Sequence, residues 1–375
     1  MASSANQRGK RGKKRVRVAV VFGGQSSEHD VSLRSARTII GALDPERYEV
    51  VPVGITREGR WLTGGDPHRQ LTATSPLFAL PNGSAADEPV SSDVVVSRPG
   101  SLPTGVAGGE VDVIFPVLHG PMGEDGTIQG MLELSGIPYV GSGVLGSAVA
   151  MDKAMAKSVL GQAGLPQGDW RLVARRDWER DPERMTEAIA ATIGFPCFVK
   201  PANMGSSVGV SKAHDPSELP AAMLTAGHHD RRILVEQAIN ARELEVSVLG
   251  NDDPIASVAG EIVPAGEFYD YNAKYIDDDS KLLIPAPIDG ATMGQVQELA
   301  IAAFRELDLA GLARVDFFLE RETGRLLINE VNTIPGFTAI SMYPLLWEAT
   351  GVPLPELVDR LIALALERHA ERKPT

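Results

Sequence analysis

The chain has 375 residues, 43% of them hydrophobic, and a formal net charge of −13 at pH 7. A chain of this length is too long for one compact core, which predicts two or three domains. The negative net charge argues against a nucleic-acid-binding protein. An anionic substrate must therefore be held by local lysines and arginines and not by the overall charge. No segment approaches the roughly 18 consecutive apolar residues of a transmembrane helix. The single cysteine, Cys197 in FPCFV, fits a buried structural thiol rather than a nucleophile and favours a reducing cytoplasm.

The chain begins with a basic segment. Residues 1–15 contain no acidic residue and no apolar pattern, which predicts a disordered arm, with contact to nucleic acid or a membrane as the alternative. No apolar segment with a small-residue cleavage site follows, so we do not expect a secretory signal.

The next elements predict an N-terminal α/β domain over residues 16–141. The buried-strand run VRVAVVF is followed by a Gly-Gly turn, a helical pattern and a second strand, YEVVPVGI. Such a βαβ unit predicts a parallel sheet with a ligand near the carboxyl end of the strand. Residues 63–108 are rich in Gly, Pro, Ser and Thr without periodicity, which predicts an inserted, loosely ordered excursion. The strand VDVIFPVL, a helix around TIQGMLELSG and a short strand, IPYVG, complete the domain.

Two further units are predicted to follow. A central subdomain over residues 142–235 begins with one helix, AVAMDKAMAKSVLGQAG, and continues with the strand PCFVKP, a helix near 216–226 and the strand RILVEQ. A C-terminal domain over residues 236–375 contains the strand ELEVSVLG, a helix near 292–309, the strand pair ARVDFFLE and RLLINEVN, and a final amphipathic helix.

A glycine- and serine-rich loop follows the strand that ends at Lys200. In FVKPANMGSSVGVSK, residues 198–212, the segment from Gly205 to Gly209 would let backbone N–H groups approach a phosphate closely. The spacing is not that of a P-loop, because Lys200 precedes the glycines and no Gly-Lys-Ser/Thr follows them. A plain hairpin turn between two strands is equally compatible with this stretch.

The C-terminal strand pair carries polar side chains at alternating positions. Alternation places Arg314 and Asp316 on one face of the first strand, and Glu330 and Asn332 on one face of the second. Adjacent strands would direct these side chains to one patch, whose oxygen donors suit Mg²⁺ when nucleotide phosphates supply the remaining ligands. The alternative is a solvated polar sheet face, which fits less well with the Pro-Gly loop TIPGFTAIS that follows.

Lysines could complement this acidic patch. Phosphoryl transfer needs positive groups because the γ-phosphate oxygens carry charge that the transition state must spread. Lys153 lies early on a helix, Lys200 ends a strand and Lys274 lies in a polar loop. Each alone would be an ordinary solvated lysine, so the prediction depends on their combination with the loop and the strand pair.

Two N-terminal motifs add candidates. Glu28 in VFGGQSSEHDVS precedes a helix and could bind a substrate ammonium, or could merely cap that helix. His119 lies in the strand-end loop VLHGPMGEDGTIQG, where it could serve a site or merely bond to the backbone.

Taken in order, eight stretches resemble the motifs of one family. They are FGGQSSEHDVS, HGPMGEDGTIQG, MDK, FVKP with GSSVG, VEQAINARELEV, FYDYNAKY, ARVDFF and INEVNTIPGFTAIS. This pattern resembles the ATP-grasp ligases and, within them, the D-alanine:D-alanine ligases. The resemblance implies a three-domain α/β (α+β) ATP-grasp fold with an N-terminal parallel-sheet βαβ domain. It also implies ATP-dependent joining of two D-alanines through an acyl phosphate, for peptidoglycan precursor synthesis in the cytoplasm.

The resemblance further implies which residues bind the nucleotide. The implied ATP-binding residues are Lys153, Lys200, Ser207, Glu236, Glu243, Tyr269 and Lys274. Lys153 and Lys200 would meet the α and β phosphates, and the 205–209 loop would close over them. Glu236 would accept from the adenine amino group, and Glu243 would bind the ribose hydroxyls. Two Mg²⁺ (or Mn²⁺) ions would be held by Asp316, Glu330 and Asn332.

A second implied set acts on D-alanine, and its members are Glu28, Ser206, Tyr275, Arg314, Gly336 and Ser341. Glu28 would bind the first ammonium and form a hydrogen-bonded set with Ser206 and Tyr275. Arg314 and the Gly336 N–H would form the oxyanion hole. Ser341, helped by Lys274, would bind the second carboxylate.

The sequence leaves other functions open. A D-alanine:D-lactate ligase is the closest one, although Tyr275 favours an amine as the second nucleophile. A regulatory nucleotide-binding module would require a broken catalytic set, and a Rossmann dehydrogenase would require a third glycine after FGG. Gln237 stands where some family members carry lysine, which leaves one adenine contact open. The resemblance implies a homodimer, with no nucleic-acid or membrane partner.

Overall fold

The structure, a computed structural model, describes residues 14–73, 75, 95–97, 102–263 and 281–371. Three predicted site residues, Tyr269, Lys274 and Tyr275, lie outside these ranges, as do residues 1–13 of the predicted basic arm. The described strands form three sheets. None of the described helices combines the length and hydropathy needed to cross a bilayer.

The N-terminal part of the chain forms a five-stranded sheet. Its strands are β1 (Val16–Gly23), β2 (Tyr48–Ile55), β3 (Trp61–Thr63), β4 (Val95–Ser97) and β5 (Val113–Val117). Its helices are α1 (His29–Ala42), α2 (Pro67–Thr72), α3 (Thr104–Ala107) and α4 (Thr127–Ser135). Strand β1 lies between β2 and β5 and is parallel to both, which confirms the predicted βαβ opening. Its continuous apolar run is buried, as expected of a central parallel strand.

The predicted excursion over residues 63–108 contains ordered elements in the parts that the structure describes. Leu71 of α2 is buried in the core of the first sheet, and β4 pairs antiparallel with β3 at the sheet edge. Strand β4 has only three residues, two of them exposed valines. Such a short edge strand carries no alternation that a sequence pattern could reveal.

A four-stranded antiparallel sheet follows. This part of the chain contains α5 (Val144–Met151), α6 (Lys153–Gln162), β6 (Trp170–Ala174), α7 (Arg175–Arg180), α8 (Pro182–Thr192), β7 (Cys197–Pro201), β8 (Ser211–Ala213), α9 (Leu219–His229) and β9 (Arg232–Gln237). The strand order is β6-β9-β7-β8. Cys197 is fully buried in its core, and burial raises the pKa of the thiol to about 11, which supports a structural role.

The single helix predicted around MDK is two helices. Helix α5 ends at Met151, and the carboxylate of Asp152 caps α6 by accepting a hydrogen bond from the Met155 N–H at 3.0 Å. The same carboxylate forms an ion pair with Arg232 at the start of β9. An aspartate that both caps a helix and binds a neighbouring strand favours a break over a continuous helix, and Lys153 therefore begins α6.

The C-terminal part of the chain forms a second five-stranded sheet. It contains β10 (Ala241–Gly250), β11 (Ile255–Val263), β12 (Lys281–Leu283), α10 (Gly290–Glu306), β13 (Gly311–Glu320), β14 (Leu326–Asn332), α11 (Met342–Ala349) and α12 (Leu354–Glu371). The strand order is β12-β11-β10-β13-β14, with all neighbours antiparallel. The predicted strand pair is the β13–β14 hairpin.

The hydrophobic cores link distant parts of the chain. Ala156 and Leu160 of α6 pack in the core of the C-terminal sheet, and Trp347 and Leu357 pack with Phe22 of the N-terminal sheet. The cores therefore do not follow the predicted segments 142–235 and 236–375 residue for residue, and those domain boundaries stay predictions. This packing fixes the mutual positions of the loops that form the cleft described next.

Candidate active site

An open cleft of about 230 Å³ lies between the three sheets. Twelve of the thirteen predicted site residues within the described ranges line it: Glu28, Lys153, Lys200, Ser206, Ser207, Glu243, Arg314, Asp316, Glu330, Asn332, Gly336 and Ser341. The thirteenth, Glu236, lies behind Lys200, with which it forms an ion pair. Segments as far apart in the sequence as Glu28 and Ser341 thus meet in one cavity.

The β13–β14 hairpin brings the predicted acidic patch together. Arg314 lies opposite Asn332, and Asp316 lies opposite Glu330. Arg314 donates two hydrogen bonds to Asp316, each 2.7 Å long, and the Asn332 amide nitrogen donates to Asp316 at 3.0 Å. The predicted convergence of these four side chains is confirmed.

Sequence reasoning missed a further carboxylate in this patch. Glu245 on β10 lies opposite Asp316 on β13, and its side chain contacts the Arg314 guanidinium at 3.0 Å. Arg314 is therefore held between two buried carboxylates. The alternation of Glu243 and Glu245 in ELEVSV was the signal that could have identified it.

The donor set of the patch fits a hard cation in part. Among the described residues, no group of three His, Cys, Asp or Glu side chains is arranged to hold a metal ion. Asp316 and Glu330 offer carboxylate oxygens, and Asn332 uses its amide nitrogen on Asp316, so its oxygen is the atom available as a ligand. Two carboxylates and an amide oxygen suit Mg²⁺ when phosphate oxygens complete the coordination.

Two predicted lysines line the cleft close to Glu330 of this patch. The Lys153 ammonium donates to the Met204 carbonyl at 2.7 Å and lies 3.8 Å from a Glu330 oxygen. The side chain of Lys200 is 15% exposed. Burial opposes its charge, but the carboxylates of Glu236 and Glu330 outweigh that cost and raise the pKa of Lys200. Lys200 therefore brings a positive charge to an anionic ligand in the cleft.

Glu28 contacts the glycine- and serine-rich loop. It occupies the position before α1, yet its side chain makes no capping bond; instead its Oε1 accepts a hydrogen bond from the Ser206 hydroxyl at 2.5 Å. Ser206 and Ser207 have φ angles of 50° and 58°, a left-handed conformation that costs a residue other than glycine about 1–2 kcal/mol. Strain of this kind is characteristic of functional loops.

Two glycines leave room for the Glu28 carboxylate. A Cβ placed on Gly205 would lie 2.8 Å from Glu28 Oε2, and one on Gly120 would lie 2.7 Å from the same atom. The loop after β5 and the loop after β7 therefore approach Glu28 from two sides.

We expect Gly205→Ala to displace the Glu28 carboxylate while the fold persists, because the crowded atom is the end of a flexible side chain. The Michaelis constant of the substrate that Glu28 binds should rise on the order of tenfold, the effect of weakening one hydrogen bond to a charged group. Steady-state kinetics would measure it. The matched control is Gly130→Ala in α4, where an added Cβ meets no atom within 4 Å. Equal effects of the two substitutions would contradict the assignment.

The loop after β14, which contains Gly336, is held by the N-terminal sheet. The Ile334 carbonyl accepts from His119 Nδ1 at 2.9 Å, and the Phe337 N–H donates to the Ser35 hydroxyl at 3.1 Å. Burial lowers the pKa of His119, so its neutral ring accepts from Ser35 at Nε2, 3.2 Å away. His119 therefore bonds to the backbone, the simpler of its two predicted roles.

Glu124 holds the same loop from the other side. Its carboxyl oxygens accept from the Ile334 N–H at 3.1 Å and from the Gly120 N–H at 2.7 Å. Burial and the neighbouring Glu28 charge raise the pKa of Glu124 to about 8. Sequence reasoning assigned no role to Glu124.

We expect Glu124 to make stability fall as pH rises. Its pKa is raised in the folded state, so between about pH 4.5 and pH 8 the folded protein keeps a proton that the unfolded chain releases. The contribution is full below pH 4.5 and is lost as pH approaches 8. In Glu124→Gln this slope should disappear, leaving a pH-independent cost of about 1–3 kcal/mol for the lost acceptor. Urea unfolding of the wild type and of Glu124→Gln at several pH values would measure the slope and the constant cost. If the unfolding free energies of the two proteins changed with pH in the same way, the prediction would be refuted.

Comparison with known proteins places the chain in a family. Residues 17–142 match the family model described as the D-ala D-ala ligase N-terminus, and residues 159–363 match the one described as the D-ala D-ala ligase C-terminus. A D-alanine–D-alanine ligase of Geobacillus kaustophilus is 50% identical over 368 residues, covering 96% of this chain and 97% of the relative. One from Heliobacterium modesticaldum is 50% identical over 366 residues, covering 95% and 96%.

Solved structures agree with the sequence comparison. The D-alanine–D-alanine ligase of Coxiella burnetii superposes with a TM-score of 0.78 at 37% identity, covering 96% of each chain. The VanG D-Ala:D-Ser ligase of Enterococcus faecalis gives a TM-score of 0.79 at 35% identity, covering 94% of this chain and 100% of the other. These similarities confirm the predicted ATP-grasp fold class, and the chain belongs to the D-alanine:D-alanine ligase family.

Proposed function

We propose that this protein joins two D-alanines into D-alanyl-D-alanine, consuming one ATP and releasing ADP and phosphate. The observation that carries the proposal is the single cleft, in which the Glu28–Ser206 contact faces the Arg314–Asp316 pair. The relatives of about 50% identity that bear this activity in their names support it. They do not favour the D-lactate alternative.

The nucleotide and its metal ions would occupy the side of the cleft nearest the hairpin. Asp316, Glu330 and Asn332 would hold two Mg²⁺ (or Mn²⁺) ions, whose charge, when bound, neutralises the phosphate oxygens and orients the γ-phosphate. Lys153 and Lys200 would bind the α and β phosphates, with Ser207 of the loop above them. Glu236 and Glu243 would bind the adenine and the ribose. Tyr269 and Lys274, outside the described residues, would complete the nucleotide site.

The first chemical step makes the carboxylate reactive. A carboxylate oxygen of the first D-alanine attacks the γ-phosphorus, the bond to ADP breaks, and an acyl phosphate forms. Glu28 holds the ammonium of this D-alanine so that its carboxylate faces the phosphate. The positive charges of Lys153 and Lys200 offset the charge on the transferred group.

The second step forms the peptide bond. The amine of the second D-alanine attacks the acyl carbon, and phosphate leaves with the carboxylate oxygen that it acquired. Arg314 and the Gly336 N–H would stabilise the negative oxygen of the tetrahedral intermediate, and Ser341 would bind the carboxylate of the attacking D-alanine. The Ser341 hydroxyl now accepts from the Thr338 N–H at 3.0 Å.

Water must be excluded because it would hydrolyse the acyl phosphate. The loop carrying Ser206 contacts Glu28, and we propose that this contact closes the loop over the bound substrates. Tyr275, outside the described residues, would complete that hydrogen-bonded set. We further propose that the protein acts in the cytoplasm as a homodimer and supplies the dipeptide for peptidoglycan precursors.

The experiment that tests this function is incubation of the purified protein with D-alanine, ATP and Mg²⁺, with the product identified by mass. D-alanine alone should yield the dipeptide and one phosphate per peptide bond. Parallel reactions with D-alanine plus D-lactate or D-serine, across pH, would test other second substrates. A depsipeptide or a mixed dipeptide as the main product would overturn the assignment of the second substrate.

A further inference from the structure

Lys157 is a buried ammonium that the proposed mechanism does not use. It lies one helical turn after Lys153 on α6, its side chain is 7% exposed, and its Nζ lies 2.7 Å from Glu236 Oε1. Lysines are rarely buried unless they are paired, because removing the charge from water is costly. The role of Lys157 must therefore be sought in its ion pair with Glu236.

Glu236 has one ammonium for each of its oxygens. Oε1 contacts Lys157 and Oε2 contacts Lys200. Burial would raise the pKa of Glu236, but these two ammonium groups outweigh it and hold the pKa at about 2. Glu236 is therefore a carboxylate throughout the physiological pH range.

The two lysines differ in their access to the cleft. Lys200 lines it, whereas neither Lys157 nor Glu236 does. An anionic ligand that enters the cleft can therefore draw Lys200 away from Glu236, which would uncover Oε2. Lys157 has no such route and stays on Oε1.

We propose that Lys157 is a positioning residue for the nucleotide base. Lys157 holds Oε1 of Glu236 permanently. When Lys200 turns to the phosphates, it frees Oε2 of Glu236, which then accepts a hydrogen bond from an amino group on the base. This inference rests on the proposed function, which assigns Lys200 to phosphate and Glu236 to adenine.

This arrangement should make the nucleotide site selective for a purine base that donates a hydrogen bond from its substituent at position 6. Adenine has an amino group at this position, which can donate a hydrogen bond to a carboxylate that is fixed as an acceptor. A 6-oxo purine presents a carbonyl, which would leave the buried carboxylate facing another acceptor, an arrangement that is strongly disfavoured. Without Lys157, Glu236 would keep Lys200 as its sole counter-ion, so Lys200 would be harder to release and the oriented acceptor would be lost.

The test measures binding separately from turnover. Calorimetric titrations with ADP and with its 6-oxo analogue, inosine diphosphate, both with Mg²⁺, would be made on the wild type and on Lys157→Met, which keeps the chain length without the charge. We expect the wild type to prefer ADP. In Lys157→Met the ratio of the two affinities should fall about tenfold or more, the effect of one hydrogen bond to a charged group.

Two further variants sharpen the outcome. Lys157→Arg keeps the charge and should retain most of the ratio. Glu236→Gln should lower the ratio as much as Lys157→Met does, and the double variant should lower it no further, because the two side chains act as one unit. Should Lys157→Met not fold, Lys157→Gln takes its place with the same expectation.

The outcomes separate this inference from the proposed function. Equal losses of ADP and inosine diphosphate affinity in the Lys157 variant would overturn the inference and leave Lys157 as a structural ion pair. A wild type that forms the dipeptide but binds both nucleotides equally would overturn the role of Glu236 and this inference with it. A wild type that prefers ADP but forms no dipeptide would overturn the proposed function alone.

Discussion

Glu330→Gln is expected to abolish phosphate release while the fold persists. Glu330 lies opposite Asp316 on the hairpin and 3.8 Å from Lys153, so its carboxylate faces the region where metal-bound phosphates would lie. The amide of glutamine has no negative charge with which to hold a divalent cation. Without that cation the transition state loses several kcal/mol of stabilisation, which lowers kcat about a thousandfold or more. A coupled phosphate-release assay with D-alanine and ATP measures it.

The fold should survive this change because Glu330 is only partly buried, with 25% of its side chain exposed. Circular dichroism and a melting curve would verify that. The matched control is Glu322→Gln in the exposed turn of the same hairpin, which should retain full activity. Unchanged turnover in Glu330→Gln would refute the metal-site assignment.

Arg314→Met is expected to lower kcat by about 10² to 10³, the range for loss of one oxyanion donor. The structure adds a second effect. Arg314 separates Asp316 from Glu245, both buried, and removing the cation leaves two carboxylates without their shared partner, a loss of about 3–5 kcal/mol in unfolding free energy. Kinetics should therefore be measured well below the melting temperature of the variant.

Two companion variants distinguish these effects. Glu245→Gln leaves Arg314 and Asp316 in contact and should change kcat far less than Arg314→Met does. Arg314→Lys keeps a charge but not the two-pronged contact with Asp316, so partial activity is expected. If Arg314→Met changed only the Michaelis constants, Arg314 would be a binding residue and not an oxyanion donor.

Local patterns in the sequence predicted the elements with strong periodicity. The apolar run VRVAVVF marks a strand buried on both faces, and β1 is such a strand. Alternation in the two C-terminal strands correctly placed Arg314, Asp316, Glu330 and Asn332 on one patch, because side-chain direction in a strand depends on parity alone. The resemblance then assigned roles to residues in loops, where no periodicity exists.

Features that depend on tertiary packing escaped prediction. The break between α5 and α6 is stabilised by the contact of Asp152 with Arg232, 80 residues later. Lys157 resembles any helical lysine until β9 brings Glu236 against it. Glu28 looked like a helix cap as readily as a ligand, and only the folded loop, 178 residues away, shows that its carboxylate contacts Ser206. None of these pairings leaves a local signal.

In the proposed mechanism, the carboxylate of the first D-alanine is phosphorylated in the cleft before the amine attacks it. The most direct measurement uses D-alanine labelled with ¹⁸O in its carboxylate, with the released phosphate analysed by mass or by ³¹P NMR. Transfer through an acyl phosphate moves one carboxylate oxygen from D-alanine to each phosphate, so we expect one ¹⁸O per phosphate released with the dipeptide. Unlabelled phosphate accompanying the same yield of dipeptide would contradict an acyl phosphate intermediate.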